Sequence, residues 1–413
     1  MSKPTDIIVL TERQMTVFKE FLKHAGINEY SLTLSPGIED SKNFCGVIIR
    51  ADVKWTSNNN ELTSNYIIKC APPSDVLDNL LPVQNSYVIE IYVYSKIFQE
   101  FNAIQQEYHI MKPFKSHPIY YTSLPTTRQK MIVLQNVKEL GYRHHSQNQP
   151  LDYEHILLVV KQYAQLHALS YAIRYHKPKL FDEFATNTQD HFLKHMKYEG
   201  ILMVIQHRID KALKALDPVD DNSIYEAFSY LAKNILSVCI NKINSKKRHE
   251  VLSHIDCGIP NLLFKYDPIS NLPTDVCIID WQHSRLESPA VDLTTFIFSV
   301  TDKTSRQRYN ELILEYHKSL CSFLQEFGCD GEQMLPFKVL NEELKKYGIV
   351  GLTMAILLIY IYSTLDQEIP DVLNDESHKE GYSFLYDLQD PSIFDKRVKD
   401  VVTDFSNLGY NFT

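Results

Sequence analysis

The chain has 413 residues, of which 44% are hydrophobic and 23% are charged, as is usual for a globular protein with a large core. Its formal net charge is -9 and it has no long basic run, which argues against nucleic acid or an anionic membrane as the main partner. The seven cysteines are scattered and form no CxxC pair, so we expect reduced thiols in a cytoplasmic protein rather than a zinc ribbon. The N-terminal sequence lacks the apolar stretch of a signal peptide.

The first 135 residues predict a small lobe of mixed secondary structure. A short helix is expected at residues 12–25. Strict alternation of apolar and polar side chains predicts a half-buried strand at residues 44–55, and a polar turn joins it to a second strand at residues 64–71 in an antiparallel hairpin. Apolar residues at helical spacing predict a helix over residues 80–101. A further strand is expected at residues 130–134.

After residue 135 the pattern changes, and we expect a larger, mostly helical lobe over residues 136–413. Its helices are expected at residues 153–175, 189–216, 223–243, 305–326, 342–363 and 392–408. The longest apolar run, residues 348–362, is short for a membrane span and predicts a buried helix. One β-hairpin, with arms at residues 261–264 and 276–279, interrupts the helices. The chain as a whole therefore predicts an α+β fold of two lobes.

The most informative segment spans residues 251–293. It holds His254 and Asp256, then Asn261 five residues after that aspartate, and Asp280 at the end of an apolar strand. Metal-assisted phosphoryl transfer needs one carboxylate to orient the acceptor hydroxyl, and an amide oxygen and a second carboxylate to hold Mg²⁺. We predict Asp256 as the catalytic base, Asn261 and Asp280 as the Mg²⁺ ligands, and His254 as a brace of the loop. Each residue alone is common elsewhere, but their joint spacing favours function.

A second group of residues predicts a nucleotide site in the first lobe. Lys69 interrupts an apolar strand, and Glu90 lies in the helix that follows it. A strand lysine in such a lobe binds the α- and β-phosphates of ATP, and a helix glutamate holds the lysine in place. The alternative is that both residues are ordinary solvated charges. The motif downstream favours the functional interpretation.

Two backbone segments are also expected to contact the nucleotide. The turn at residues 41–46 is not a GxGxxG motif, but Asn43 and Gly46 would let backbone N–H groups approach the phosphates; an ordinary turn is the alternative. The connector at residues 131–137, which includes Leu134 and Asn136, is expected to present backbone groups to the adenine edge.

Two further polar residues have structural interpretations. His167 lies on the apolar stripe of its helix, and we expect a packed, hydrogen-bonded core histidine rather than a ligand. Asp292 lies where a helix is expected to begin. It is predicted either to cap that helix or to brace the catalytic loop.

Several short motifs occur together in this chain. They are His254-x-Asp256 with Asn261, Asp280-Trp281-Gln282, Pro289 to Leu293, Tyr87 with Glu90 and Tyr94, Leu166-His167-Ala168, and Gly141-Tyr142-Arg143. By these motifs the chain resembles the ecdysteroid kinase-like family, relatives of choline kinases and aminoglycoside phosphotransferases, over most of its length. The combination with Asp-Trp-Gln and Gly-Tyr-Arg is more specific than the first motif, which several kinase-like families share.

The resemblance implies a bilobal protein-kinase-like fold, ATP and Mg²⁺ as cofactors, and phosphorylation of an alcohol group on a small molecule. An ecdysteroid-like steroid is the first acceptor that it suggests. The chain departs from the family at the connector, where Gln135, Asn136 and Val137 replace Glu-Asp-Leu, and at Ser41, which often is glycine. The change at the connector affects the expected contacts to the ribose and the acceptor, and Ser41 affects the expected contacts to the phosphates.

Two alternatives to this function remain open at the level of sequence. One is a kinase for choline, ethanolamine or another amino alcohol, which would need an aromatic cage with acidic residues near the cleft. The other is a pseudokinase that binds a nucleotide or an apolar ligand without phosphoryl transfer. The presence of both Asp256 and Asp280 argues against the pseudokinase.

Overall fold

The computed structural model describes residues 10–37, 46–72, 83–126, 128–146, 149–189, 199–245, 247–365, 368 and 385–412. Strands dominate its N-terminal part and helices its C-terminal part. The predicted α+β class, with an antiparallel sheet followed by a mostly helical part, is therefore confirmed. The division into domains after residue 135 stays a prediction.

The N-terminal part is built on one antiparallel sheet. Its elements are helix α1 (Glu12–His24) and strands β1 (Tyr30–Pro36), β2 (Val47–Ser57), β3 (Asn60–Cys70), β4 (Tyr120–Leu124) and β5 (Met131–Gln135), in the sheet order β1-β2-β3-β5-β4. The predicted hairpin is β2–β3, and the pairing of β3 with β5 places Lys69 opposite Ile132. Helix α1 buries Phe18 and Leu22 against the sheet face that carries the alternate apolar residues of β2.

A long helical segment follows the sheet's central strand. It consists of helix α2 (Val83–Tyr92), a π-helical turn (Val93–Ile97) and helix α3 (Phe98–Glu107). The predicted apolar stripe is buried, and α2 packs against the 3₁₀ turn Trp281–His283 of the C-terminal part. This packing carries Glu90, itself 1% exposed, into the interior.

The C-terminal part surrounds two small sheets with helices. Its helices are α4 (Tyr153–His176), α5 (Pro178–Asn187), α6 (Glu199–Lys214), α7 (Asn222–Asn244), α8 (Pro289–Val300), α9 (Lys303–Arg306), α10 (Tyr309–Gln325), α11 (Gly331–Met334), α12 (Phe337–Tyr362) and α13 (Ser392–Asn407). Its strands are β6 (Arg143–His144), β7 (Val251–Ser253), β8 (Leu262–Tyr266), β9 (Pro273–Ile278) and β10 (Arg285–Glu287). The predicted hairpin is β8–β9, which pairs Leu262 with Ile278, and β7 pairs with β10.

Two predicted helices of the C-terminal part are divided or only partly described in the structure. The helix expected at residues 305–326 is divided into α9 and α10, because the chain turns between them at residues 307–308. The helix expected at residues 189–216 corresponds to α6, and its first residues, 190–198, lie outside the described residues.

Helix α12 is the apolar core helix of the C-terminal part. The segment Gly331–Tyr362 is long and apolar enough to cross a membrane by length and composition, but 72% of its most apolar window is buried inside the structure. Helix α8, in which every residue is buried, packs along it. The buried helix predicted for residues 348–362 is thus confirmed, and it begins earlier than expected, at Phe337.

Candidate active site

Three charged side chains from distant parts of the chain meet at one point. The Lys69 ammonium group donates hydrogen bonds to the carboxylate of Glu90, with 2.7 Å between Nζ and Oε2, and to the carboxylate of Asp280. The side chains of Lys69 and Glu90 are 7% and 1% exposed, and that of Asp280 is 24% exposed. The strand lysine and helix glutamate singled out in the sequence therefore form a buried pair, which the aspartate after β9 joins.

Burial and the neighbouring charges have opposing effects on the pKa values of Lys69, Glu90 and Asp280. Burial alone would lower the pKa of Lys69, but the carboxylates of Asp280 and Glu90 outweigh it and raise that pKa, so the ammonium stays charged. Burial raises the pKa of Glu90 to about 7 against the attraction of Lys69. Burial acts in the same direction on Asp280, yet Lys69 reverses it and holds the pKa of Asp280 below its ordinary value. Lys69 and Asp280 are therefore the firmly charged members of the group.

The loop between β7 and β8 brings the predicted catalytic residues beside this group. Asn261 ends a 3₁₀ turn, and its side-chain Nδ2 donates to the backbone carbonyl of Asp256 at 2.7 Å. The N–H of Ile279 donates to the carbonyl of Asn261 at 3.0 Å, so the β8–β9 pairing extends to the residue just before Asp280. Asp256, Asn261 and Asp280 therefore converge on one edge of the hairpin, as the sequence predicted.

The electrostatics of this edge fit a divalent cation. Burial raises the pKa of Asp256 to about 7, and the negative charge of nearby Asp280 adds to that rise. Two carboxylates that repel each other beside an amide side chain are a donor set suited to a hard cation such as Mg²⁺. In that set, Asn261 and Asp280 would hold the ion, and the charge of the ion would relieve the repulsion.

Asp292 braces the loop between β7 and β8. One oxygen of its buried carboxylate accepts from the N–H of His254 at 2.9 Å, and the other accepts from the N–H of Ile255 at 2.8 Å. Ile255 has φ of 73°, a left-handed conformation that is rare for a β-branched residue and that concentrates at functional sites. Ser288 caps helix α8, accepting from the N–H of Ala290 at 3.3 Å. Of the two interpretations of Asp292, the brace therefore describes its contacts.

Two histidines complete this support. His167 is fully buried, its Nε2 lies 3.2 Å from Asp292 Oδ2, and its Nδ1 lies 2.8 Å from the hydroxyl of Tyr316. His254 donates from Nε2 to the carbonyl of Ile279 at 2.9 Å, and its ring meets Trp281 edge to face. His167 is thus the packed core residue expected from the sequence, and His254 ties the loop to the end of β9.

We expect Asp292→Asn to destabilise the protein by about 2–4 kcal/mol, because one of the two buried N–H donors loses its charged acceptor. Urea unfolding followed by circular dichroism measures this loss. Thr295→Val is the matched control, since Thr295 is buried in the same helix and its hydroxyl meets no hydrogen-bond partner among the described residues. Equal stability of the two variants would contradict the bracing role.

Four other residues were predicted to contact the nucleotide: Asn43, Gly46, Leu134 and Asn136. Asn43 lies outside the described residues. A Cβ at Gly46 would lie 2.2 Å from the Tyr87 hydroxyl and 2.5 Å from the Cys70 carbonyl, so packing against α2 and β3 already requires this glycine. Leu134 is buried in β5, and the buried side chain of Asn136 accepts from the N–H of Lys138 at 3.2 Å and caps the 3₁₀ turn after β5. Contacts of these residues with a nucleotide stay predictions.

The sequence analysis missed Tyr362, which lies at the end of α12. Its hydroxyl lies against Gly258 in the loop between β7 and β8, and burial together with the charge of Asp256 raises its pKa well above the ordinary value. About a hundred residues separate Tyr362 from the motif, and no spacing rule connects them. Only the packing of α12 reveals this neighbour of Asp256.

The raised pKa of Asp256 makes a prediction about stability without metal. Its folded pKa, about 7, exceeds the ordinary aspartate value, so the stability due to the neutral form is lost as pH rises through 7. We expect Asp256→Asn, which cannot ionise, to be about 1–3 kcal/mol more stable than the wild type at pH 8. Urea unfolding in EDTA measures the difference. If the stability gain of Asp256→Asn were as large at pH 5 as at pH 8, the raised pKa would not belong to Asp256.

Comparisons with known proteins bear on the family of this chain. No protein with a curated description matches its sequence. Among solved structures, an ethanolamine kinase from Plasmodium vivax is similar, with a TM-score of 0.44 and 14% identity over 92% of this chain and 89% of that chain. The model of the ecdysteroid kinase-like family matches residues 40–329, a range that contains Lys69, Glu90 and the whole segment from His254 to Asp292. The chain belongs to the ecdysteroid kinase-like family.

Proposed function

We propose that this protein is an ATP- and Mg²⁺-dependent kinase that phosphorylates a hydroxyl group of a small molecule. The observation that carries the proposal is the buried contact of Lys69 with both Glu90 and Asp280, beside a loop that presents Asp256. A solvated strand lysine and a solvated helix glutamate would not meet in the interior. Membership of the ecdysteroid kinase-like family supports a small-molecule kinase.

Each residue has a separate task in this proposal. Lys69, charged and fixed by Glu90, binds phosphate oxygens of the nucleotide. Mg²⁺, held by Asn261 and Asp280, would supply the positive charge that neutralises the transferred phosphoryl group. Asp256 accepts a hydrogen bond from the acceptor hydroxyl, orients its oxygen toward the γ-phosphorus, and takes the proton as the new O–P bond forms. The bond between the γ-phosphorus and the bridging oxygen breaks in the same step, and ADP leaves.

For the acceptor we propose a largely apolar alcohol, with an ecdysteroid-like steroid as the first candidate. The charges that shift the pKa of Asp256 are those of Asp280 and Lys69, both assigned to the nucleotide side. Its other neighbours, Cys257 and Tyr362, are uncharged and have raised pKa values through burial. A quaternary ammonium substrate favours an aromatic cage with acidic residues around it. Cys257 and Tyr362 add no negative charge beside Asp256, which supports a neutral acceptor.

The deciding experiment is a screen of steroid alcohols and amino alcohols with ATP and Mg²⁺. Mass spectrometry detects the added phosphate, and Asp256→Asn serves as the inactive control. Phosphorylation of a steroid supports the whole proposal, and phosphorylation of amino alcohols alone refutes the acceptor class. Tight nucleotide binding without transfer to any alcohol would indicate a pseudokinase.

We also propose a cytoplasmic location. The six cysteines within the described ranges all have free thiols, and five of them are buried. Reduced thiols of this kind are usual in a reducing compartment.

A further inference from the structure

A second cluster of potential ligands lies between helices α10 and α11, apart from the phosphoryl-transfer residues. His317 and Cys321 are one turn apart on the same face of α10, and Glu332 lies on α11. The ligand atoms of these three residues all lie within 4.8 Å of one another. The cluster is made of imidazole, thiol and carboxylate, and the proposed function uses none of them.

The separations in this cluster are close to those around a tetrahedral metal ion. His317 Nδ1 lies 3.6 Å from Glu332 Oε1, and Cys321 Sγ lies 3.9 Å from Nδ1 and 3.7 Å from Nε2 of the same ring. Zinc bonds of about 2.0–2.3 Å in tetrahedral geometry separate neighbouring ligand atoms by roughly 3.3–3.7 Å. Small side-chain adjustments therefore suffice to surround an ion.

The backbone orients two of the three ligands. His317 Nε2 donates to the carbonyl of Leu335 at 2.8 Å, so Nδ1, the ring nitrogen nearest to the Glu332 carboxylate, keeps its lone pair for a metal ion. One oxygen of Glu332 accepts from the N–H of Phe337 at 3.4 Å, and the other points toward His317. Metal-binding histidines and carboxylates in proteins are held by hydrogen bonds of this kind.

A glycine allows the third ligand to approach. A Cβ at Gly331 would lie 2.6 Å from Cys321 Sγ and 2.6 Å from Cys321 Cα, so any other residue would force α11 away from α10. Asp330 caps α11 by accepting from the N–H of Gln333 at 3.1 Å, which places Glu332 in the first turn. The backbone here is arranged for close contact with the thiol.

We propose that His317, Cys321 and Glu332 bind Zn²⁺ and thereby fasten α11 to α10. A thiolate and an imidazole select zinc-like ions over Mg²⁺ and Ca²⁺, which prefer oxygen ligands. The Cys321 thiol releases its proton to solvent as its sulfur binds the ion, and water occupies the fourth position. Glu332, whose side chain is 64% exposed, leaves the site open to solvent for entry of the ion.

The test is titration of the full-length protein with Co²⁺ and then Zn²⁺. We expect one equivalent of Co²⁺ to produce a thiolate-to-cobalt charge-transfer absorption, which Zn²⁺ abolishes by displacement. Cys321→Ser should lose the absorption, and Glu332→Gln should weaken Co²⁺ affinity by at least about 10-fold. The phosphoryl-transfer residues offer only oxygen ligands to a metal, so this signal is independent of the proposed function.

Cys329→Ser is the matched control. Cys329 is buried and its sulfur lies 3.5 Å from His176 Nε2, but the metal-binding group does not include it. The control should keep the full cobalt absorption. Absence of the absorption in the wild type, or its persistence in Cys321→Ser, would overturn the proposal. Glu332→Gln changes an exposed side chain, so it tests the site even where Cys321→Ser folds poorly.

Discussion

Asp256→Asn is expected to lower kcat by about 10²–10⁴-fold with the verified acceptor, because the amide cannot take the proton of the hydroxyl. Nucleotide affinity is expected to change little. The contacts assigned to the nucleotide come from Lys69, Asn261 and Asp280, and Asp256 is linked to that group through hydrogen bonds with Asn261 and through charge. Steady-state kinetics and calorimetry with ATP and Mg²⁺ measure the two quantities separately.

The control for this prediction is Asp267→Asn. Asp267 lies in the exposed turn of the same β8–β9 hairpin, where it accepts from backbone N–H groups that an asparagine side chain also satisfies. Asp267→Asn removes one negative charge, as Asp256→Asn does, but at a residue outside the site. Its kcat should therefore stay within about twofold of the wild type. If Asp256→Asn kept full turnover, the assignment of the base would be wrong.

The local part of the site could be predicted because its chemistry is contiguous in sequence. His254, Asp256, Asn261 and Asp280 fall within one loop and one hairpin, and the strand pairing that unites them follows from the apolar arms on either side of a polar turn. The pair of Lys69 with Glu90 was accessible for a similar reason, since a strand and the next helix are neighbours in space.

The supports of the site could not be predicted in the same way. Asp292 was left between a cap and a brace, because either role places an aspartate near a helix start. Only the tertiary packing shows that its carboxylate reaches two backbone N–H groups and His167, and that Tyr316 from α10 stands behind that histidine. The left-handed conformation of Ile255 is likewise imposed by these contacts and contradicts its local preference.

In the five-stranded N-terminal sheet, the sequence analysis missed the two edge strands, β1 and β4. Strand β1 alternates between half-buried and exposed residues without a fully buried one, and β4 has a single buried residue at its end. An edge strand pairs on one side only, so it needs fewer apolar residues and carries a weaker periodic signal. Helix α8 was expected only at its start, near Asp292, because burial on all sides removes the amphipathic period that would show its length.

Asp280→Ala is expected to remove most of the dependence of nucleotide binding on Mg²⁺. In the wild type Mg²⁺ should strengthen ATP binding by at least about 10-fold, and in the variant this ratio should approach one, because Asn261 alone is a weak ligand set. Calorimetry of ATP binding with Mg²⁺ and with EDTA, on both proteins, measures the ratio. Because Asp280 has φ of 68°, which asparagine tolerates better than alanine, Asp280→Asn should be measured beside it.

The direction in which ATP affinity changes without metal distinguishes the loss of a metal ligand at Asp280 from a general loss of structure. In the wild type, the Asp280 carboxylate accepts a hydrogen bond from the Lys69 ammonium group. When Asp280 is replaced, Lys69 keeps its contact with Glu90 and can turn its remaining N–H groups to phosphate. ATP affinity in EDTA should therefore stay equal or rise in the variant, whereas a damaged site would lose affinity under both conditions. Equal Mg²⁺ dependence in the wild type and both variants would show that Asp280 does not hold the ion, and the carboxylate would then serve only to neutralise Lys69.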